Sequence, residues 1–172
     1  GDAAIACLSD TLLAGALPKL RVLNLCRNRF SDVSPLVEVC RKHTHLIELY
    51  LGGNAIGDTG MLAIAAVSFK LESLHFDGTE ITNAGLAKLA DVLPSPSRLS
   101  ELRLGYNYKI DDEGIVPFAG AIQHGVLPKL AVLDLNYTNT GNRGAAALVE
   151  ACAACTTLHT IKLEGSKVTE PM

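Results

Sequence analysis

A repeated segment constrains the fold of this chain more than any other feature of its sequence. Residues 17–25 (LPKLRVLNL) and residues 127–135 (LPKLAVLDL) are nearly identical, and looser copies of the pattern L-x-x-L-x-L-x-x-N-x-I lie between and after them. The first apolar position of the pattern is occupied by Leu20, Leu46, Leu71, Leu99, Leu130 and Leu158. The steps of 26, 25, 28, 31 and 28 residues predict six similar units, because such a period is typical of stacked repeats.

Each unit is predicted to begin with a short strand. In residues 46–51 apolar and polar residues alternate, so Leu49 and Leu51 should point into a core while Glu48 and Tyr50 point outward. A polar residue follows in a turn, where its side chain can satisfy backbone groups of neighbouring units. These turn residues are Asn54, Thr79, Asn107, Thr138 and Ser166.

A helix is predicted after each strand. Five units carry a residue type favoured at helix N-caps, namely Asp2, Asp58, Asn83, Asp112 and Asn142. Two residues later a glycine, which indicates close backbone packing, occurs as Gly60, Gly85, Gly114 and Gly144. The unit at residues 28–36 differs, since Ser34 is its predicted N-cap and Pro35 its predicted first helical residue. Apolar residues at helical spacing then predict a buried stripe in every unit.

Six such units resemble the leucine-rich repeat superfamily, in particular its long-repeat, ribonuclease-inhibitor-like class, and residues 46–60 are the clearest copy. We therefore expect an α/β right-handed solenoid, or horseshoe, with a concave parallel sheet and convex helices. Residues 1–172 should form one domain of about six repeats. We expect a fragment of a longer solenoid or multidomain protein, because Gly1 aligns with Gly57 and Pro171 suits the start of a further helix.

Composition excludes several classes of function. The net charge of -3, the absence of Trp and the eight Phe and Tyr residues argue against nucleic-acid binding. No apolar run approaches the roughly 20 residues needed to cross a bilayer, so membrane insertion is not expected. The five cysteines, an odd number, favour reduced and mostly buried thiols in a cytoplasmic or nuclear protein.

The outward positions of the strands form columns across the predicted sheet. The central column is Asn24, Tyr50, His75, Arg103, Asp134 and Lys162. The preceding column is Val22, Glu48, Ser73, Glu101, Val132 and Thr160, and the following column is Cys26, Gly52, Asp77, Gly105, Asn136 and Glu164. Tyr106 and Tyr137 share a register and are expected to pair.

We predict that a partner protein contacts the central column together with Glu48, Asp77, Glu101, Tyr106 and Tyr137, because Tyr, His and Arg are common in interfaces. The alternative is a solvated sheet with cross-strand ion pairs, such as Arg103 with Asp134.

Catalytic and metal sites are not predicted. His75 and Asp77 could form a dyad, but no Ser or Cys at a strained strand-to-helix turn supplies a nucleophile. Cys152 and Cys155 have the spacing of redox and zinc motifs, yet a second pair of ligands is missing and Cys152 is expected to be buried in a helix stripe. No cofactor is expected.

The leading hypothesis is a protein-interaction module without enzymatic activity. The class that these repeats resemble includes nuclease inhibitors, GTPase activators of the Ran type, actin filament cappers and innate immune sensor domains. A GTPase activator is therefore one alternative, with Arg27, Arg29, Arg103 and Arg143 available, although none lies in a recognisable motif. The sensing domain of a larger receptor is the other alternative.

Overall fold

Helices and strands alternate along the chain in the computed structural model, which describes residues 1–169. Pro171, the predicted start of another helix, lies outside these residues. The helices are α1 Asp2–Leu13, α2 Ser34–Lys42, α3 Gly57–Ala65, α4 Asn83–Val92, α5 Asp112–Gln123 and α6 Asn142–Ala154. The strands are β1 Val22–Asn24, β2 Glu48–Tyr50, β3 Ser73–His75, β4 Glu101–Arg103, β5 Val132–Asp134 and β6 Thr160–Lys162.

The six strands form one parallel sheet in sequence order. Each strand has three residues and begins two residues after the leucine that opens its repeat, so the predicted order and register are confirmed. Because every return from one strand to the next passes through a helix, the chain winds as a right-handed α/β solenoid with the sheet on its concave side.

The core is one continuous stack of apolar side chains between the sheet and the helices. The central strand residues Leu49, Leu74, Leu102 and Leu133 are fully buried. In α5 the predicted stripe, which includes Ile115 and Phe118, is also buried.

Two of the predicted polar turn residues, Asn54 and Asn107, join neighbouring repeats, whereas the hydroxyls of Thr79 and Thr138 donate to carbonyl oxygens of their own repeat. Asn54 donates from Nδ2 to the carbonyl oxygens of Leu25 at 2.9 Å and Leu51 at 2.7 Å, and its Oδ1 accepts from the backbone N–H of Asn28. Asn107 makes the same kinds of contact two repeats later. Both side chains are buried, so they satisfy backbone groups that water cannot reach.

The predicted N-cap assignments are wrong. Asp112 is the first residue of α5 rather than its cap, and its Oδ1 accepts hydrogen bonds from the next repeat, from Gly141 N at 2.7 Å and Gly144 N at 3.0 Å. Asp58 similarly binds the N–H and hydroxyl of Thr82, which is the N-cap of α4. These side chains connect one repeat to the next instead of closing their own helix.

These connections explain the repeated glycines. A Cβ atom added to Gly85 would lie 2.2 Å from Oδ1 of Asp58, and one added to Gly144 would lie 2.6 Å from Oδ1 of Asp112. The predicted close packing is confirmed. At Gly85, Gly114 and Gly144 a polar side chain of the preceding repeat requires it, whereas at Gly60 the nearest atom would be Ile56 Cβ at 2.9 Å.

Two further predictions about the helices are wrong: the residue at which α2 begins and the burial of Cys152 in α6. Helix α2 begins one residue early, with Val33 as its N-cap and Ser34 as its first residue, because Asp32 Oδ1 accepts from Ser34 N at 2.9 Å. At the end of α6 the capping residue Cys155 is buried, with 7% of its surface exposed, whereas Cys152 within the helix is only partly buried. The neighbouring Ala151 occupies the core-facing position instead.

All five cysteines lie within the described residues and are free thiols. Cys7 and Cys26 are exposed, so the expectation of mostly buried thiols is wrong. Among residues 1–169, no helix has both the length and the apolar character needed to cross a membrane.

Candidate protein-binding surface on the sheet

Backbone pairing places the predicted columns in register. Tyr50 lies opposite His75, His75 opposite Arg103, and Arg103 opposite Asp134. The same pairing continues to Asn24 at one end and to Lys162 at the other. The central column is therefore continuous across all six strands.

The first contact within this surface joins two aromatic rings. The rings of Tyr50 and His75 have centroids 4.2 Å apart and are tilted by 60°. The Tyr50 hydroxyl donates a hydrogen bond to Glu48, and this bond raises the pKa of Tyr50 above its ordinary value. Tyr50 is thus held by a neighbour on each side.

His75 is enclosed rather than solvated, with 8% of its surface exposed. Its Nε2 lies 2.9 Å from Ser73 Oγ and 3.7 Å from Glu101 Oε2. Burial lowers the pKa of His75 to about 4, and the nearby charge of Arg103 acts in the same direction. The imidazole is therefore neutral at neutral pH.

The ion pair between Arg103 and Asp134, the example given for the alternative of a solvated sheet, does not form, although Asp134 makes a different cross-strand pair. Arg103 instead binds Glu101 on its own strand, with Nε 2.7 Å and Nη2 2.6 Å from Oε1. Asp134 pairs with Lys162, at 3.2 Å between Oδ2 and Nζ. Desolvation acts to raise the pKa of Glu101, but Arg103 outweighs it and the pKa is lowered, so this pair is charged.

A shallow groove of about 460 Å³ runs beside the central column, near the carboxyl ends of the strands. Gly52 and Gly78 open it, and Asp77, Asp134 and Tyr106 also line it. Burial raises the pKa of Asp77, and the charge of Asp134 adds to this effect.

The groove is shaped in part by a close approach between Asp77 and Gly105 on neighbouring repeats. Asp77 Oδ1 accepts from Gly105 N at 3.0 Å, and a Cβ atom at residue 105 would lie 3.0 Å from that oxygen. Asp77 is thus oriented towards the next strand, and the dyad considered for His75 and Asp77 does not form.

An exposed aromatic pair extends the surface towards the loops. Tyr106 and Tyr137 stack with centroids 4.6 Å apart and an interplanar angle of 15°, which confirms the predicted pairing. Tyr106 is 48% exposed, and Tyr108 beside it is 63% exposed. Sequence reasoning missed Tyr108 because it lies outside the repeated pattern.

Ser73, which the sequence placed in the preceding column but not among the predicted contact residues, links two predicted residues. Its hydroxyl lies beside His75 and donates to Glu101 at 3.2 Å. In a serine hydrolase the acid orients the other ring nitrogen, whereas here Glu101 approaches the same Nε2. Together with the burial of Ser73 and the low pKa of His75, this geometry fits packing rather than nucleophilic catalysis.

Within residues 1–169, no group of three or more His, Cys, Asp or Glu side chains is arranged to hold a metal ion. The surface described above has three kinds of feature that can make contacts: aromatic rings, ion-paired side chains and a small groove.

Comparison with known proteins agrees with this architecture. Residues 42–65 and 67–90 match the family model described as "Leucine Rich repeat", and residues 19–38 match "Leucine Rich Repeat". The chain therefore carries leucine-rich repeats at these residues. It is 29% identical over 176 residues to the ribonuclease inhibitor of the pig, Sus scrofa. That alignment covers 98% of the chain but only 38% of the length of the inhibitor.

Solved structures share the fold of this chain. Actin-binding site 2 of leiomodin-1 superimposes with a TM-score of 0.64 at 13% identity, covering 87% of this chain and 86% of that one. The TLR13–ssRNA13 complex gives 0.59 at 21% identity over 88% and 20%, respectively. The internalin inlF of Listeria monocytogenes gives 0.55 at 20% identity over 96% and 46%. At these identities the similarity concerns the fold alone.

Proposed function

We propose that this leucine-rich repeat protein is a protein-interaction module, not an enzyme, and that its partner binds the concave face. The proposed contact surface is the central column with Glu48, Asp77, Glu101, Tyr106 and Tyr137. Leucine-rich repeat proteins in general mediate protein–protein interaction, which supports the class of function.

The observation that carries this proposal is that the outward side chains of the strands already contact and order one another. Tyr50 is held by Glu48 and His75, and Arg103 is held by Glu101. Side chains that are already ordered lose little conformational entropy on binding, typically saving about 0.5–1.5 kcal/mol each. Tyr and Arg are also the residue types most often found at the energetic centres of interfaces.

GTPase activation, the alternative enzyme-related function, finds no comparable observation in its favour. None of the four arginines considered for it lies in a recognisable motif, and Arg143 is paired with Glu113. An assay of GTP hydrolysis with a panel of small GTPases distinguishes activation from simple binding.

The proposal includes a cytoplasmic or nuclear location, supported by the five free thiols, since such thiols are typical of reducing compartments. Imaging of a tagged protein in cells tests this part.

Affinity capture tests the proposed function. The chain is immobilised beside two variants, Tyr50→Ala with Arg103→Ala on the concave face and Lys88→Ala on the exposed face of α4. Proteins bound through the concave face should be retained by the wild type and by Lys88→Ala but lost from the double variant. Equal retention by all three forms would refute the proposed surface.

The name of the pig relative suggests one partner to test first. A ribonuclease is added to the wild-type chain, and its activity is measured with and without the concave substitutions. Inhibition that the double variant abolishes would identify a ribonuclease as a partner. Absence of inhibition would exclude that ribonuclease as an inhibited partner. The capture experiment would still decide whether partners bind the concave face.

A further inference from the structure

Five of the six strands are preceded by a tight turn whose exposed residues lie beside the amino-terminal end of the strand, whereas Arg98 before β4 lies in an irregular loop. The turn is closed by hydrogen bonds such as Leu20 N to Leu17 O at 2.9 Å and Leu71 N to Ser68 O at 3.1 Å. The exposed position directly before the leucine is a cation in four of the six repeats: Lys19, Lys70, Arg98 and Lys129. With the adjacent Arg21, these residues are here called the basic edge.

The basic edge is a local excess of positive charge on a chain whose net charge is -3. None of its members belongs to the ion pairs found within the described residues. Glu72 is the one carboxylate at the corresponding positions directly before or after the strand-opening leucines. Lys70 is partly exposed and the other four cations are exposed, so their charges are available to a ligand.

Two large apolar side chains are exposed in the same turns. Leu17 is 61% exposed and Phe69 is 58% exposed. The sequence Leu-Pro-Lys-Leu occurs both at residues 17–20 and at residues 127–130, but Leu127 is fully buried. The repeat can therefore bury this leucine, and its exposure at residue 17 is a feature of that turn alone.

We propose that the basic edge binds an extended acidic segment of a partner protein, with Leu17 and Phe69 contacting apolar side chains of that segment. From Lys19 to Lys129 the edge crosses four strand spacings, roughly 19 Å at 4.8 Å each. An extended segment of about six residues spans this length. Its carboxylates would pair with the cations, and charge complementarity of this kind guides association.

A protein segment fits this edge better than other anionic macromolecules. The cations lie in a narrow row, whereas a membrane surface needs a broad face. Phe69 is the one Phe, Tyr or Trp residue in these turns, so a row of stacking platforms for nucleic-acid bases is missing from the described edge. The proposal concerns a surface separate from the concave face and does not depend on it.

Fluorescence anisotropy with a synthetic acidic peptide tests the inference. The probe is a fluorescein-labelled peptide of about ten residues, with Glu and Leu in a ratio of about two to one. It should bind the wild-type chain, and the affinity should fall as salt is added, because salt screens exposed charges. Replacing three cations (Lys70→Glu, Arg98→Glu and Lys129→Glu) should weaken binding on the order of tenfold or more.

Matched variants separate this site from the rest of the surface. Lys109→Glu with Lys167→Glu changes two exposed cations at the opposite edge of the sheet and should leave peptide binding unchanged. Tyr50→Ala, on the concave face, should also leave peptide binding unchanged. The test of the basic edge therefore does not depend on whether a partner binds the concave face. Circular dichroism spectra matching the wild type confirm that each variant is folded.

Three results would overturn the inference. The peptide does not bind, or the triple reversal binds it as tightly as the wild type does. Alternatively, vesicles containing phosphatidylserine or single-stranded oligo(dT) bind through the same cations more tightly than the peptide, which would assign the edge to a lipid surface or to nucleic acid instead.

Discussion

The contact between Asp112 and Gly144 predicts how the change Gly144→Ala affects stability. Whether the change stabilises or destabilises the chain depends on one atom, Oδ1 of Asp112. In the third residue of α6, a change from glycine to alanine normally favours the helix by up to about 1 kcal/mol. Here the new methyl group would lie 2.6 Å from Oδ1 of Asp112, which accepts bonds from Gly141 N and Gly144 N. Hydrogen bonds to a charged group are worth about 1.5–3 kcal/mol each, so their weakening outweighs the gain in helix propensity. We expect Gly144→Ala to destabilise the chain by about 1–3 kcal/mol.

A double-mutant cycle isolates the cause. In an Asp112→Ala background the oxygen is absent, and the nearest remaining atoms are methyl carbons of Ile115 and Thr140 at 3.1 Å, which can move slightly. Gly144→Ala should then be neutral or slightly stabilising, giving a coupling energy of at least about 1 kcal/mol between the two sites. Urea unfolding followed by far-UV circular dichroism measures all four proteins. An equal loss in both backgrounds would refute the assigned role of the carboxylate.

Three further predictions follow from burial and charge. Leu49→Ala should cost about 2–5 kcal/mol because it leaves a cavity, while the outward Tyr50→Ala should cost much less; equal losses in thermal melts would contradict the strand register. Because His75 has a folded-state pKa of about 4 against 6.5 ordinarily, the unfolded chain binds the proton first, and stability should fall as the pH drops from about 6.5 towards 4. His75→Gln should reduce this pH dependence in urea titrations, and an unchanged profile would argue against burial of a neutral imidazole. In a thiol titration Cys26 should react quickly and Cys155 only on unfolding; rapid labelling of Cys155 in the native chain would contradict its burial.

The repeat pattern predicted the fold because the alternation of apolar and polar residues in each strand shows which side chains face the core. In Glu48–Tyr50, alternation alone determines that Leu49 is buried, and stacking of identical units then determines the register. The columns of the proposed binding surface follow from that register without further information.

Contacts between repeats were harder to predict, since they depend on atoms that are distant in sequence. Asp58 has the chemistry of an N-cap, but its oxygens bind Thr82, 24 residues away. Arg103 could pair with either Glu101 or Asp134, and only packing of the whole surface selects Glu101. Cys152 was misassigned because Ala and Cys are both compatible with a buried helix face, so composition did not fix the phase of α6.

The most direct test of binding through the concave face is an affinity measurement with a captured partner. Isothermal titration gives the Kd for the wild type, for Tyr50→Ala, for Tyr106→Ala and for the control Lys88→Ala. If the concave face is the interface, at least one tyrosine variant should bind on the order of tenfold or more weakly, the usual effect of removing an energetic centre, while Lys88→Ala binds like the wild type. Wild-type affinity in both tyrosine variants, with a loss in Lys88→Ala, would show that the partner binds the helical face and would contradict this account.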